Sequence, residues 1–451
     1  MDSHATPPDV YEGLRRRLYA EGERVKVYAP DVYHGKDVTV PELRRRRGVP
    51  AEDPRVAFTL TETDGVLHWE PGYGFAAPSR RRAFRAGPLV TGRIVAPINF
   101  ERLEPSAVGA FLEHFDRDLT PFCDLRHPEN GLRELQNGTW SAAPARPRKT
   151  GRILIFIHGT FSNIANYLSE LRVTPEGGAL LDRMEKHYDQ VLGFDHSTIA
   201  LSPVLNAMDL ARLFQDSKAD IDVICHSRGG LVTRWWLEAF DSRARGDTRA
   251  ILAGAPLYGT SLAAPDKLKS GLDFLTNVAH AIETTAGMAA GGFPFLAAVT
   301  GILKVISSLT SFAAKTPVLD AALAMIPGLC AQSQTSNNNE LERLNQASSR
   351  KIEYYAVRSS FQTTKPGWRF WNFFVNIGDR IKEAGADLVF EGENDLVVDT
   401  ASMTTLARPP AALDIPSGRI LDFGINDQVH HTVYFRQKDT AEFIAARFGI
   451  K

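Results

Sequence analysis

Apolar runs of strand length recur along the chain after residue 150. They are Ile153-Leu154-Ile155-Phe156-Ile157, Val191-Leu192-Gly193-Phe194, Ile221-Asp222-Val223-Ile224, Ala250-Ile251-Leu252-Ala253 and Ile352-Glu353-Tyr354-Tyr355-Ala356-Val357, with a final short run at Leu421-Asp422-Phe423-Gly424. The first is apolar without interruption, as suits a central parallel strand covered on both faces. Segments 205–215 and 230–240 between them carry helical periodicity. Strands alternating with helices predict an α/β fold with a mostly parallel central sheet and helices on its faces.

The first 150 residues read differently. Arg24-Val25-Lys26-Val27-Tyr28 and Val56-Ala57-Phe58-Thr59-Leu60-Thr61 alternate as half-buried strands do, and Asp64-Gly65 lies between two such runs as a hairpin signal. A small β-rich domain is predicted over 1–145. Residues 142–150, rich in proline and basic side chains, form the linker to a second domain over 150–451. Residues 263–345, rich in Ala, Leu, Gly, Ser and Thr, are too long for a connection and predict a helical cap insertion. Within it, 286–303 is nearly free of charge, but Gly287, Gly291, Gly292, Pro294 and Gly301 favour packed helices over a membrane span.

Charge excludes some classes of partner. The chain has 451 residues, with 52 basic against 53 acidic, so no global field recruits nucleic acid or an anionic membrane. The runs Arg44–Arg47 and Arg80–Arg82 read as solvated basic faces. Three cysteines, odd in number and widely spaced, suggest neither a disulfide framework nor a zinc set. The polar start, with two prolines, lacks the pattern of a secretory signal, so a cytoplasmic location is expected, export by another route remaining open.

The chemistry centres on Cys225-His226-Ser227-Arg228-Gly229-Gly230, which follows the 221–224 strand and opens a helix. A serine hydroxyl is a weak nucleophile at neutral pH and needs a base within hydrogen-bond reach and a turn that exposes its oxygen. Small residues flanking such a turn let strand and helix approach, which gives the G-x-S-x-G pattern; here Cys225 replaces the first glycine. His158-Gly159-Thr160-Phe161 follows the first central strand, where backbone N–H groups can face a developing oxyanion. The N–H groups of Thr160 and Arg228 are the expected donors, with Phe161 the alternative for the first and a substrate contact. An acid and then a histidine should follow the serine in the chain. Asp395 is the expected acid, with Asp387 and Asp399 as competitors, and either His430 or His431 is the base. His158 and His226 read as shapers of their loops.

Residues 152–451 resemble the bacterial lipases and lipase-like α/β-hydrolases. The resemblance rests on His158-Gly159-Thr160, on Ala253-Gly254-Ala255-Pro256-Leu257-Tyr258-Gly259-Thr260, on Asp395-Leu396-Val397 and on His431-Thr432-Val433-Tyr434-Phe435. It implies an α/β-hydrolase fold, favours His431 over His430, and gives a Ser227-Asp395-His431 triad without metal or organic cofactor. The implied substrate is a carboxylic ester, lipid or of medium chain length, with transient membrane-surface contact through the cap. A serine amidase or thioesterase, a phospholipase-type effector and a binding protein that kept the fold are the alternatives. Oligomeric state is left open.

Overall fold

The computed structural model describes residues 10–24, 27–28, 55–71, 93–101, 103–144, 146–242, 247–264, 267–285, 293–308, 324–334, 338–346, 352–363, 365–371, 389–390, 392–407 and 413–451. Arg44–Arg47, Arg80–Arg82 and Asp387 lie outside them. The described residues fall into two compact units.

The larger unit gathers residues of 109–268, 323–363 and 375–451 around an eight-stranded sheet. Its strands are β5 (Leu132–Gln136), β6 (Thr139–Ala142), β7 (Arg152–Ile157), β8 (Gln190–Phe194), β9 (Asp220–His226), β10 (Thr248–Ala253), β11 (Glu353–Phe361) and β14 (Ile420–Asn426). They lie in the order β14-β11-β10-β9-β7-β8-β5-β6. The six from β14 to β8 pair in parallel; β5 joins β8 antiparallel and β6 folds back on β5. The central strands are apolar because both faces are covered. Ile153, Ile155 and Ile157 pack on one side with Leu210, Phe214 and Trp236, while Leu154 and Phe156 pack on the other with Leu180, Met184 and Phe448. Helices Pro203–Phe214 and Gly229–Arg234 match the helical segments read from periodicity, the second continuing through a π turn to Phe240. With a strand–serine–helix turn at the carboxyl end of β9, this is the α/β-hydrolase fold.

The smaller unit gathers residues of 1–108, 269–322 and 364–374. Its sheet, β1-β4-β2-β3, is antiparallel: β1 is Val27–Tyr28, β2 Arg55–Thr63, β3 Val66–Pro71 and β4 Arg93–Glu101. Asp64-Gly65 forms the β2–β3 turn, as its sequence predicted. The helix Leu268–Thr285 bonds the edge strand β3 through side chains. Asn277 accepts from Leu67 N–H at 2.9 Å and donates to Leu67 O at 2.8 Å, while Asp273 accepts from Trp69 N–H at 2.7 Å. Unpaired edge-strand groups are thereby satisfied by a segment two hundred residues away.

The boundary expected near residue 145 is therefore corrected. Strands β5 and β6 belong to the large sheet, because their backbone pairs with β8. The 263–345 insertion is not one element either. Its part within 269–322 clusters with the N-terminal residues, and its part from 323 onward with the large unit. Among the described residues no helix is long and apolar enough to cross a membrane.

Candidate active site

Ser227 stands at the turn between β9 and the helix Gly229–Arg234, with φ at +53°. A non-glycine residue in this left-handed region is strained and persists only where surrounding contacts fix it. Its N–H donates to Ala253 O and its carbonyl accepts from Gly230 N–H, both at 2.9 Å. Cys225, two residues earlier, is fully buried and fills the place of the usual glycine.

Asp395 and His431 meet directly. The imidazole Nδ1–H donates to Asp395 Oδ2 at 2.8 Å, and the His431 backbone N–H donates to Asp395 O at 2.9 Å. Asp395 is fully buried, and its other oxygen accepts the N–H groups of Val397 at 3.1 Å and Val398 at 2.8 Å. The competitors are engaged elsewhere. Asp399 accepts from Ser261 N–H at 2.9 Å and Ser261 Oγ at 3.1 Å, while His430 Nδ1 contacts Thr432 Oγ1 at 3.2 Å. Ser227 is brought beside the pair by its neighbours. His226 Nε2–H donates to His431 O at 2.8 Å, and their rings stand 4.6 Å apart. Among the described residues no hydrogen bond joins Ser227 to His431; such contacts often tighten only when substrate is bound.

The loop after β7 approaches the serine from another side. A Cβ on Gly159 would lie 2.7 Å from Ser227 Cβ, closer than any real Cβ contact. We predict that Gly159→Ala slows serine labelling by a fluorophosphonate on the order of 10²-fold, since a misplacement of about 1 Å has that effect. A labelling rate within threefold of the parent would refute it. Phe161 has φ at +54°, and its N–H is directed to Thr198 Oγ1 at 3.4 Å. Thr160 Oγ1 accepts from Gln332 Nε2 at 3.0 Å.

Two groups whose part in the site sequence reasoning missed bond the segments around it. Asp116, on the helix Val108–Leu119, accepts N–H groups from Thr198, Ile199 and Ala200 and hydroxyls from Ser197 and Thr198. Tyr434 donates its O–H to Asp395 Oδ2 at 2.8 Å. Neither carried a signal beyond its own short segment. The Arg228 side chain is fully buried, with one nitrogen donating to Leu201 O and Asn206 Oδ1, each at 2.7 Å. Burial lowers its pKa to about 10.

Burial disfavours the charged form of four histidines around the turn, His158, His196, His226 and His430. His158 donates from Nδ1 to Gly159 O at 3.0 Å and accepts His196 N–H at Nε2 at 3.2 Å. Burial lowers His158 and His226 to about 3 and His430 to about 4, and pushes His196 well below its ordinary value. A histidine depressed in the folded state binds its proton first in the unfolded chain, so stability present above about pH 6.5 is lost as pH falls below it. Asp195, raised to about 7 by burial, acts in the opposite sense over the same range. Among the described residues, six depressed imidazoles, His187 and His280 included, outnumber four raised carboxyls, which are Asp195, Asp209, Glu340 and Asp399. Folding free energy should fall below pH 6.5 by about 1.4 kcal/mol per pH unit for each uncompensated histidine. Urea midpoints at pH 7.5, 6 and 5 measure this, and midpoints that hold steady or rise on acidification would contradict it.

No group of three or more His, Cys, Asp or Glu among the described residues could hold a metal ion. A family model described as Domain of unknown function (DUF7379) matches residues 127–449, a span that contains every candidate residue named from the sequence. No curated protein matches the chain in sequence. Among solved structures the chain is similar to the mature form of Bacillus licheniformis lipase BlEst2, at 13% identity over 70% of this chain and 100% of that one, with a TM-score of 0.36. It is similar also to lipase 1 from Pelosinus fermentans, at 13% identity over 66% and 98% of the two chains, with a TM-score of 0.37.

Proposed function

The chain belongs to the family described as Domain of unknown function (DUF7379), and from the chemistry of its site we propose that it is a serine hydrolase cleaving carboxylic esters. The observation that carries this reading is the His431–Asp395 contact at 2.8 Å, made beside a serine held at positive φ after a parallel strand. Ser227 Oγ attacks the ester carbonyl while His431 Nε2 takes its proton. Asp395 fixes the tautomer by accepting at Nδ1 and stabilises the imidazolium that forms. The N–H groups of Thr160 and Arg228 receive the oxyanion, and Phe161 borders the substrate. Its own N–H, directed to Thr198, favours Thr160 as the first donor. The imidazolium gives its proton to the leaving alcohol; water, deprotonated by His431, then attacks the acyl-enzyme, the bond to Ser227 Oγ breaks, and the imidazolium returns that proton to Ser227 Oγ as the acid departs. Protons and water suffice for both steps.

The acyl group proposed is that of a lipid or medium-chain ester, the substrate class implied by the sequence resemblance of residues 152–451. A series of p-nitrophenyl esters from two to sixteen carbons, with a triglyceride, a phospholipid, a thioester and an anilide beside it, tests the reading. Ester turnover that peaks at intermediate or long chains supports it. Turnover confined to the anilide or the thioester would replace it with amide or thioester hydrolysis.

A further inference from the structure

The Asp395 carboxylate receives four hydrogen bonds, and one comes from outside both its own loop and the three residues proposed for catalysis. Oδ1 takes the two backbone N–H groups of Val397 and Val398. Oδ2 takes the His431 imidazole at 2.8 Å and, at the same distance, the phenolic O–H of Tyr434. Tyr434 is 1% exposed and stands three residues beyond His431 in the turn Tyr434–Arg436. One short stretch thus delivers a base and a phenol to a single carboxylate oxygen. The hydroxyl's other neighbours are the Ser359 backbone N–H, which donates to the phenol oxygen, and Met403 Sδ at 3.6 Å, a weak acceptor, so the proton belongs on the carboxylate side.

This convergence also explains a glycine in the motif Gly254-Ala255-Pro256. A Cβ on Gly254 would lie 2.7 Å from Tyr434 Cε2 and 3.2 Å from both Asp395 Oδ2 and His431 Nδ1. Only a residue without a side chain leaves room for all three groups.

We propose that Tyr434 is a positioning residue of the hydrolytic site, fixing which carboxylate oxygen faces His431 and drawing negative charge from it. The proposal rests on the triad reading given above. The phenol keeps its proton throughout, since burial and the adjacent carboxylate hold its pKa well above the ordinary range. A carboxylate already accepting a phenolic proton holds the imidazolium less tightly, so His431 returns its proton to the leaving group more readily. Loss of the hydroxyl leaves the oxygen freer to turn and more negative toward the ring. The other titratable groups that face the pair are His226 at 4.6 Å from the His431 ring, His430 beside it in the chain, and Asp422, which acts on the phenol.

The test is Tyr434→Phe, followed by the second-order rate of Ser227 labelling with a fluorophosphonate between pH 5 and 9. The expected result is a rate lower by about tenfold, the worth of one charge-assisted hydrogen bond. The acidic limb should also move upward by about half a pH unit. Site-specific 3-fluorotyrosine at 434 keeps ring and hydroxyl and strengthens the donor, so it should move that limb downward even if the phenylalanine variant does not fold. Labelling in all proteins with superimposable pH curves overturns the proposal while leaving the hydrolase reading intact. A parent protein that is never labelled at Ser227 overturns both.

Discussion

Ser227→Ala is expected to reduce ester hydrolysis roughly 10⁴- to 10⁶-fold and to abolish fluorophosphonate labelling, with the fold retained. The loss is large because the proposed nucleophile forms the bond that the remaining groups stabilise; without it, His431 and Asp395 would have no oxygen to activate. Residual turnover would come from water positioned at the oxyanion N–H groups. Stability should hold, since the hydrogen bonds of Ser227 to Ala253 and Gly230 run through its backbone and survive truncation. Circular dichroism and a thermal melt verify the fold, and turnover of the best p-nitrophenyl ester measures the effect. Activity above a hundredth of the parent value would remove Ser227 from the mechanism.

Asp116→Ala should have the largest effect on stability. Its carboxylate is 1% exposed and accepts N–H groups from Thr198 at 2.9 Å, Ile199 at 3.1 Å and Ala200 at 2.9 Å, with the Thr198 hydroxyl at 2.8 Å. Removal strands several buried donors at once, each costing about 1–3 kcal/mol before water enters or the loop relaxes. A net loss of about 3–5 kcal/mol follows, or a fall of roughly 3–5 °C in Tm for a chain of this size. The damage should spread to the oxyanion loop, because Thr198 Oγ1 is the acceptor facing Phe161 N–H. Labelling of the surviving folded fraction should therefore slow as well. A change of less than 2 °C in Tm would show that the loop from 197 to 200 holds its shape without the carboxylate.

Asp116 was illegible in the sequence for a physical reason. Its helix, Val108–Leu119, precedes the first strand of the large sheet, and the groups it satisfies lie more than eighty residues downstream. A carboxylate on an amphipathic helix ordinarily faces water; only packing turned this one inward. The packing of the insertion was illegible for a related reason. Composition showed that residues 263–345 are apolar and helical, but not that Asn277 and Asp273 would complete the exposed edge of β3. Apolar helices fit many apolar faces, and local pattern does not say which.

The sequence by itself determined the features that depend on near neighbours. Apolar runs identified the central strands, because a strand covered on both faces leaves few polar positions. Asp64-Gly65 marked its hairpin, and the residues around Ser227 marked a strand-to-helix turn, since backbone sterics act over a few residues. The tertiary structure decided whatever needed two distant segments in one place. His430 and His431 are adjacent in the chain and chemically identical, yet only the second has its Nδ1 on Asp395 at 2.8 Å, while the first is turned to Thr432. That choice goes with the backbone bond from His431 N–H to Asp395 O at 2.9 Å, which sets this residue of the two beside the carboxylate. Spacing cannot encode it, because a rotation about one residue exchanges the two rings.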